Sequence, residues 1–205
     1  MILAILQARM SSQRLPGKVL MEIAGKPMLQ WVIEAAQAAK TVDRVLVATS
    51  DSAEDMELFK SVNSLVDVYR GDLNDVLGRF YKAALYYKPS HIVRLTGDCP
   101  MMRPEIIDKV VQHHLTYNRD YTTNRPYYPS GLDVEAFTMN TLVKTAKLAS
   151  DPYDREHVTP YMKERARFDV GKVAGYERNP GEKLSVDTQE ELEKVRKLMG
   201  EKQDG

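Results

Sequence analysis

The chain is predicted to be an α/β protein built on a doubly wound, mostly parallel sheet. Three observations predict it. Short apolar runs alternate with segments of helical periodicity over the first hundred residues. Those runs are continuous, as in Ile2 to Leu6, which suits strands covered on both faces. Polar segments rich in turn residues follow the ends of the runs, where open parallel sheets bind ligands. At 205 residues, with no internal repeat and no low-complexity linker, one large domain accounts for the chain.

Taken in order, Ile2 to Leu6 is the first buried strand. Met28, Leu29, Val32, Ile33 and Ala36 predict an amphipathic helix of about three turns. Arg44 to Ala48 is the second strand and Thr49 to Ser52 its turn. Ser52 with Asp55 marks a helix start, with Met56, Leu58, Phe59 and Val62 on the apolar side. Leu65 to Tyr69 is the third strand. Val76, Leu77, Phe80, Tyr81, Ala84 and Leu85 mark a long helix that ends before Pro89. His91 to Leu95 is the fourth strand, and a helix near Pro104 buries Ile106, Ile107, Val110 and Val111.

From about Tyr117 to Asp133 the pattern degrades at Asn124, Pro126, Pro129 and Gly131, among Tyr117, Tyr121, Tyr127 and Tyr128. Three readings fit: a loop for a second substrate, an arm packing on a second subunit, or a surface loop whose tyrosines cover the core edge. Gly131 to Phe137 alternates as a strand, with Asp133 and Glu135 on one side and Leu132, Val134 and Ala136 on the other. Val158, Tyr161 and Met162 mark a helix that starts near Asp154. Lys183 to Val186 reads as a short strand. Thr188 to Glu191 is a capping box opening a last helix buried through Leu192, Val195, Leu198 and Met199.

The chemistry gathers at strand ends. After the first strand come Arg9, Arg14 and Lys18, closed by Pro16-Gly17, cations suited to a polyphosphate. A solvated basic loop is the alternative. A P-loop would need Gly at Ser12 and Ser or Thr at Val19, and no Gly-x-Gly-x-x-Gly is present. Asp98 stands at the end of the fourth strand between Gly97 and Pro100, where an Asp is also a common turn former. Asp187 is left free because Thr188 can cap the last helix. His113 and His114 are adjacent and face different sides of a helix, so they lack metal-ligand spacing.

Basic and acidic residues balance at 29 each, so no general nucleic-acid or membrane surface is expected. The single cysteine, Cys99, forms no intrachain disulfide and fits a reducing cytoplasm. No segment reads as a signal peptide or a membrane span, so a cytoplasmic location is expected.

The run Leu6-Gln7-Ala8-Arg9-Met10-Ser11-Ser12-Gln13-Arg14-Leu15-Pro16-Gly17-Lys18, with Gly25-Lys26-Pro27-Met28 behind it, resembles the opening of the cytidylyltransferases. That group activates acidic sugars such as sialic acid and 3-deoxy-manno-octulosonate with CTP. The resemblance is greatest to its spore coat polysaccharide biosynthesis protein F branch. Uridylyl- and guanylyltransferases for sugar phosphates usually carry Gly-Gly where this chain has Ala8-Arg9, which favours cytidine.

The resemblance implies a Rossmann-like nucleotide-diphospho-sugar transferase fold with a mixed carboxyl-terminal part. Residues 1–100 would form the CTP-binding half and 101–200 the acceptor and metal half, with 117–135 a candidate dimer arm. It implies transfer of CMP from CTP to an acidic or phosphorylated sugar-like acceptor, with release of pyrophosphate, in surface polysaccharide biosynthesis. Arg9, Arg14 and Lys18 would act on the triphosphate. Leu6, Gln7 and Ala8, through backbone groups, and the segment from Gly71-Asp72 to Arg79 would read the base. Asp98-Cys99-Pro100 and Val186-Asp187-Thr188 match motifs whose aspartates hold a divalent metal, so Mg2+ is the expected cofactor, on Asp98 and Asp187. Arg155-Glu156-His157-Val158 matches a helix lining the acceptor side, and Glu135 and His157 are the expected acceptor contacts, although a first-turn His also serves packing or capping. Relatives usually form homodimers.

Three other functions remain open on these residues. A nucleotidyltransferase for a different base keeps the same loop and carboxylates. A sugar-transferring enzyme would ordinarily carry Asp-x-Asp, where Pro100 stands in the last position. A non-catalytic nucleotide sensor would be expected to have lost either the loop cations or a carboxylate, and both sets are present.

Overall fold

The computed structural model describes residues 1–165, 167–175 and 180–200. Strand β1 (Ile2–Gln7) leads through a 3-10 turn and a small hairpin, β2 (Glu22–Ile23) and β3 (Lys26–Pro27), into helix α1 (Met28–Ala38). The alternation continues with β4 (Arg44–Ser50), α2 (Met56–Val62), β5 (Asp67–Gly71), α3 (Val76–Tyr87), β6 (His91–Thr96) and α4 (Pro104–Thr116). The second half adds β7 (Tyr121–Thr123), β8 (Glu135–Thr138), α5 (Met139–Leu148), α6 (Pro152–His157), β9 (Val170–Lys172) and α7 (Gln189–Gly200).

One sheet runs in the order β5-β4-β1-β6-β8-β7-β9. The four strands from β5 to β6 are parallel, whereas β8 is antiparallel to both β6 and β7, and β9 is parallel to β7. The sheet is therefore doubly wound and mostly parallel, as the apolar runs predict, with a mixed part at one side, as the resemblance implies. Between β1 and β6 the direction of strand addition reverses. A crevice opens outside the carboxyl ends of such a strand pair, and the cation loop and Gly97-Asp98 leave there.

The core explains the strand order. Leu3 to Leu6 are fully buried, which places β1 at the centre of the sheet. Ala4 and Leu6 pack on one face with Leu29 of α1, Ile107 of α4 and Leu192 of α7, whereas Leu3 and Ile5 pack on the other with Phe80 of α3 and Leu142 of α5. Asp75 caps α3, accepting from Gly78 N at 2.9 Å, and Lys88 ends that helix in a left-handed conformation just before Pro89.

Several elements differ from their predicted positions. The third strand begins at Asp67, and Leu65 is exposed. The strand expected over Gly131 to Phe137 is regular only from Glu135 onward, because Asn124 binds the backbone on both sides of Asp133: its Nδ2 donates to Leu132 O and its Oδ1 accepts from Val134 N. Lys183 to Val186 makes a single bridge, Lys183 to Ser130, in place of a strand. The helix expected through Val158 and Met162 is broken at Val158, whose φ of 69° no helix accommodates, and a separate wide turn covers Tyr161–Arg165. Leu198 and Met199 are half-buried on the core's margin. Strands β7 and β9, at three residues each, and α5, which buries only Thr141, Leu142 and Thr145, carry too little apolar pattern to be read from sequence. No described helix is long and apolar enough to cross a membrane.

Candidate active site

The loop after β1 is folded around one carbonyl. Met10 O accepts from Ser12 N and from Gly17 N, both at 2.9 Å, and Gly17 takes the left-handed conformation that this return requires. Buried Asp55 anchors the start of the loop, accepting from Met10 N at 2.6 Å, from Ser50 N at 3.1 Å and from the Ser50 hydroxyl. The closing turn, Lys18–Leu20, turns Lys18 inward until it is 7% exposed.

Lys18 is where distant parts of the chain meet. Its ammonium donates to Asp98 Oδ2 at 2.7 Å, Asp187 Oδ1 at 2.9 Å and Val186 O at 2.7 Å, which uses all three protons. The two aspartates are further joined by Val186 N donating to Asp98 O at 2.9 Å. Arg14 reaches Asp187 Oδ2 at 3.1 Å and Lys183 the same oxygen at 2.9 Å. Burial pushes the Asp187 carboxyl up, but the Lys18 and Lys183 hydrogen bonds outweigh it and hold the group at about 2. Burial likewise pulls Lys18 down, and Asp98 and Asp187 more than reverse this, so its pKa is raised. Arg9 pairs with Glu156 of α6 at 3.4 Å, an exposed contact. Each loop cation is thus matched to a carboxylate.

Gln7, Ala8, Arg9, Arg14, Lys18, Asp98, His157 and Asp187 all line one crevice of about 500 Å³. A cavity of about 370 Å³ shares its Asp98, His157 and Asp187 wall and continues past Arg94, Arg125, Asp133, Glu135 and Lys163. A larger groove, of about 810 Å³, lies at the amino ends of β4 and β5, where Arg44 is already paired with Asp67.

Two predicted residues are placed differently. Leu6 is fully buried inside β1, paired on both sides, and lines neither cavity. Arg79 is 1% exposed and outside both walls; its Nη1 donates to Asp72 O at 3.0 Å while Nε and Nη2 meet no partner. Glu135 does line the second cavity, but Arg94 at 2.5 Å, Lys163 at 2.5 Å, Tyr121 Oη at 2.6 Å and Thr159 Oγ1 at 2.9 Å already surround it. Burial pushes Glu135 up, and Arg94 and Lys163 overcome that, holding it at about 2.

Asp55, Arg94 and Lys163 stand at the site without any expectation from the sequence that places them there. Arg94 had a signal, a lone charge within the buried run HIVRLT. Lys163 had none, because its approach depends on the chain break at Val158. Cys99 is buried beside Asp98, and burial, then Asp98, push its thiol well above the ordinary range. Asp133, paired with Arg125 at 3.0 Å, is raised by burial.

Residues 3–204 match the model of the cytidylyltransferase family. Spore coat polysaccharide biosynthesis protein SpsF of Bacillus subtilis is 35% identical over 209 residues, covering 96% of this chain and 85% of that protein. A 3-deoxy-manno-octulosonate cytidylyltransferase of Synechococcus elongatus is 37% identical over 111 residues, 54% of this chain and 45% of that one. The structure of a cytidylyltransferase from Leptospira borgpetersenii superimposes with a TM-score of 0.92 at 31% identity, over 98% of this chain and 87% of the other.

Proposed function

We propose, from the premise that this chain belongs to the cytidylyltransferase family, that it transfers CMP from CTP to an acidic or phosphorylated sugar-like acceptor and releases pyrophosphate, for the assembly of a surface polysaccharide. The observation carrying the reading is the meeting of Asp98, Lys18 and Asp187, from three separate parts of the chain, at 2.7 and 2.9 Å.

Nucleotidyl transfer asks a protein mainly for positioning and charge neutralisation. Arg9, Arg14 and Lys18 would exchange their carboxylate partners for the triphosphate and the leaving pyrophosphate. Gln7 and Ala8 line the crevice, which supports reading of the base there. His157 lines both cavities and is a fitting contact for the acceptor.

The residues suit magnesium. Two carboxylates already converge on one positive charge, and Mg2+ usually takes one or two carboxylates, completing its shell with water and substrate phosphate. Asp98 and Asp187 would hold it, and when bound it would neutralise charge at the α-phosphate. Among the described residues no larger group of His, Cys, Asp and Glu offers an alternative.

The deciding experiment is pyrophosphate release from each of the four nucleoside triphosphates, with Mg2+ and a pooled extract of acidic and phosphorylated sugars. Release is expected with CTP alone, reduced roughly a hundredfold or more in Asp98→Ala. Release with another nucleotide would overturn the base assignment. Undiminished release in Asp98→Ala would overturn the metal assignment.

A further inference from the structure

A buried charge network lies between the two cavities and has no part in the reaction described above. Arg94, near the end of β6, has its guanidinium divided between two elements. Nη1 donates to Glu135 Oε2 of β8 at 2.5 Å, and Nη2 donates to Gln7 Oε1 of β1 at 3.1 Å. Glu135 is itself fixed by Tyr121, Thr159 and Lys163, so Arg94 is held from a rigid side. Arg94 and Glu135 line the second cavity, whereas Gln7 lines the crevice that holds Arg9, Arg14, Lys18 and Asp98.

The chemistry of the contact dictates how Gln7 is turned. A guanidinium donates only, so the carboxamide must present its oxygen to Arg94 and its amino group away from it. Among the described residues that amino group meets no hydrogen-bond acceptor, and Gln7 lines the crevice. We propose that Arg94, braced by Glu135, is a positioning residue that sets the Gln7 carboxamide so that its amino group donates to an oxygen of the bound nucleotide. The proposal rests on the nucleotidyltransferase reading. It gives Glu135 a bracing role in place of acceptor contact, in keeping with its full set of partners.

The test is calorimetric titration of CTP with Mg2+ into the full chain and its variants, which needs no acceptor. Gln7→Ala should raise Kd about tenfold, the value of one hydrogen bond to a charged ligand. Arg94→Lys keeps a cation beside Glu135 but loses the planar fork whose second nitrogen reaches Gln7, so it too should raise Kd about tenfold. The double variant should bind no more weakly than either single one, because one residue acts through the other. Gln7→Leu keeps the bulk of the side chain and removes its donor without adding charge: a merely space-filling role predicts unchanged CTP binding, and the proposal predicts the same loss of about tenfold as in Gln7→Ala. Additive losses, or Gln7→Ala binding CTP as the wild type does, would overturn the proposal alone. Wild-type protein that fails to bind CTP would overturn the cytidylyltransferase reading and this inference with it. Should Arg94→Lys fail to fold, the two Gln7 variants still decide.

Discussion

Lys18 shows how much one side chain can organise. Its three protons go to two carboxylates and a carbonyl, so the buried ammonium is fully satisfied and holds Asp98 and Asp187 together. Lys18→Met should leave two carboxylates near each other with less positive charge between them. The Asp187 pKa should then rise from about 2 toward and past the ordinary value of 3.8, as read by NMR of labelled aspartate. A value that stayed near 2 would mean that Arg14 and Lys183 hold the carboxylate unaided. Glu135 presents the opposite case, a buried anion serving several donors. Glu135→Gln strands Arg94 and Lys163 beside a neutral amide and should cost about 3 to 5 kcal/mol in urea unfolding. A loss of only tenths would show that the network carries little of the fold's stability.

At the scale of elements, the carboxyl-terminal return to the crevice depends on one glycine. Gly131 has φ of +101°, and a Cβ there would lie 2.3 Å from Ser185 N and 2.4 Å from Leu184 C. The same contact lets Ser130 O accept from Leu184 N at 2.7 Å and Ser185 N at 3.1 Å, just before Asp187. Gly131→Ala therefore forces this segment outward as well as straining its own backbone. It should lower stability by at least about 2 kcal/mol and lower CTP-dependent pyrophosphate release. Unchanged stability with unchanged release would show that the segment gives way freely. Helix α6 is held by a comparable device: Arg155 forks onto Asp75, the cap of α3, at 2.8 and 2.5 Å, and binds the end of α5 through Ala146 O at 2.9 Å. That clamp places Glu156 and His157 over the crevice, and the break at Val158 frees the next residues to bring Thr159 and Lys163 to Glu135.

At the scale of the molecule, the pH dependence of stability has an identifiable source far from the crevice. His91 Nδ1 and His114 Nε2 lie 3.1 Å apart, and His114 Nδ1 is 3.1 Å from Thr122 Oγ1. Burial first, then the neighbouring His91, push His114 down from 6.5 to about 4; burial and the amino terminus lower His91. A group lowered on folding contributes stability that is complete above its unfolded pKa and is lost as pH falls through the folded one. His114 should therefore contribute fully above pH 6.5, with about 3 kcal/mol lost progressively toward and below pH 4. Urea midpoints measured from pH 7.5 to 4 should fall more steeply for the wild type than for His114→Gln. Parallel slopes would locate the acid sensitivity elsewhere.

The sequence by itself determined the parallel half of the sheet. Strands covered on both faces must be apolar throughout, and amphipathic helices must repeat every three or four residues, so each element announces its own surroundings. It also determined which charged residues stand in connecting segments where no packing requirement explains them: Arg9, Arg14, Lys18, Asp98 and Asp187. Tertiary structure alone decided the rest, because the deciding contacts join residues with no local periodicity between them. Lys18 meets Asp187 across 169 positions, and short strands β7 and β9 exist only because β8 and β7 offer them an edge. The same reason separates Glu135 from Arg94 in legibility. A charge in an apolar run is visible locally, but whether it faces a ligand or four neighbouring side chains depends on what folds over it.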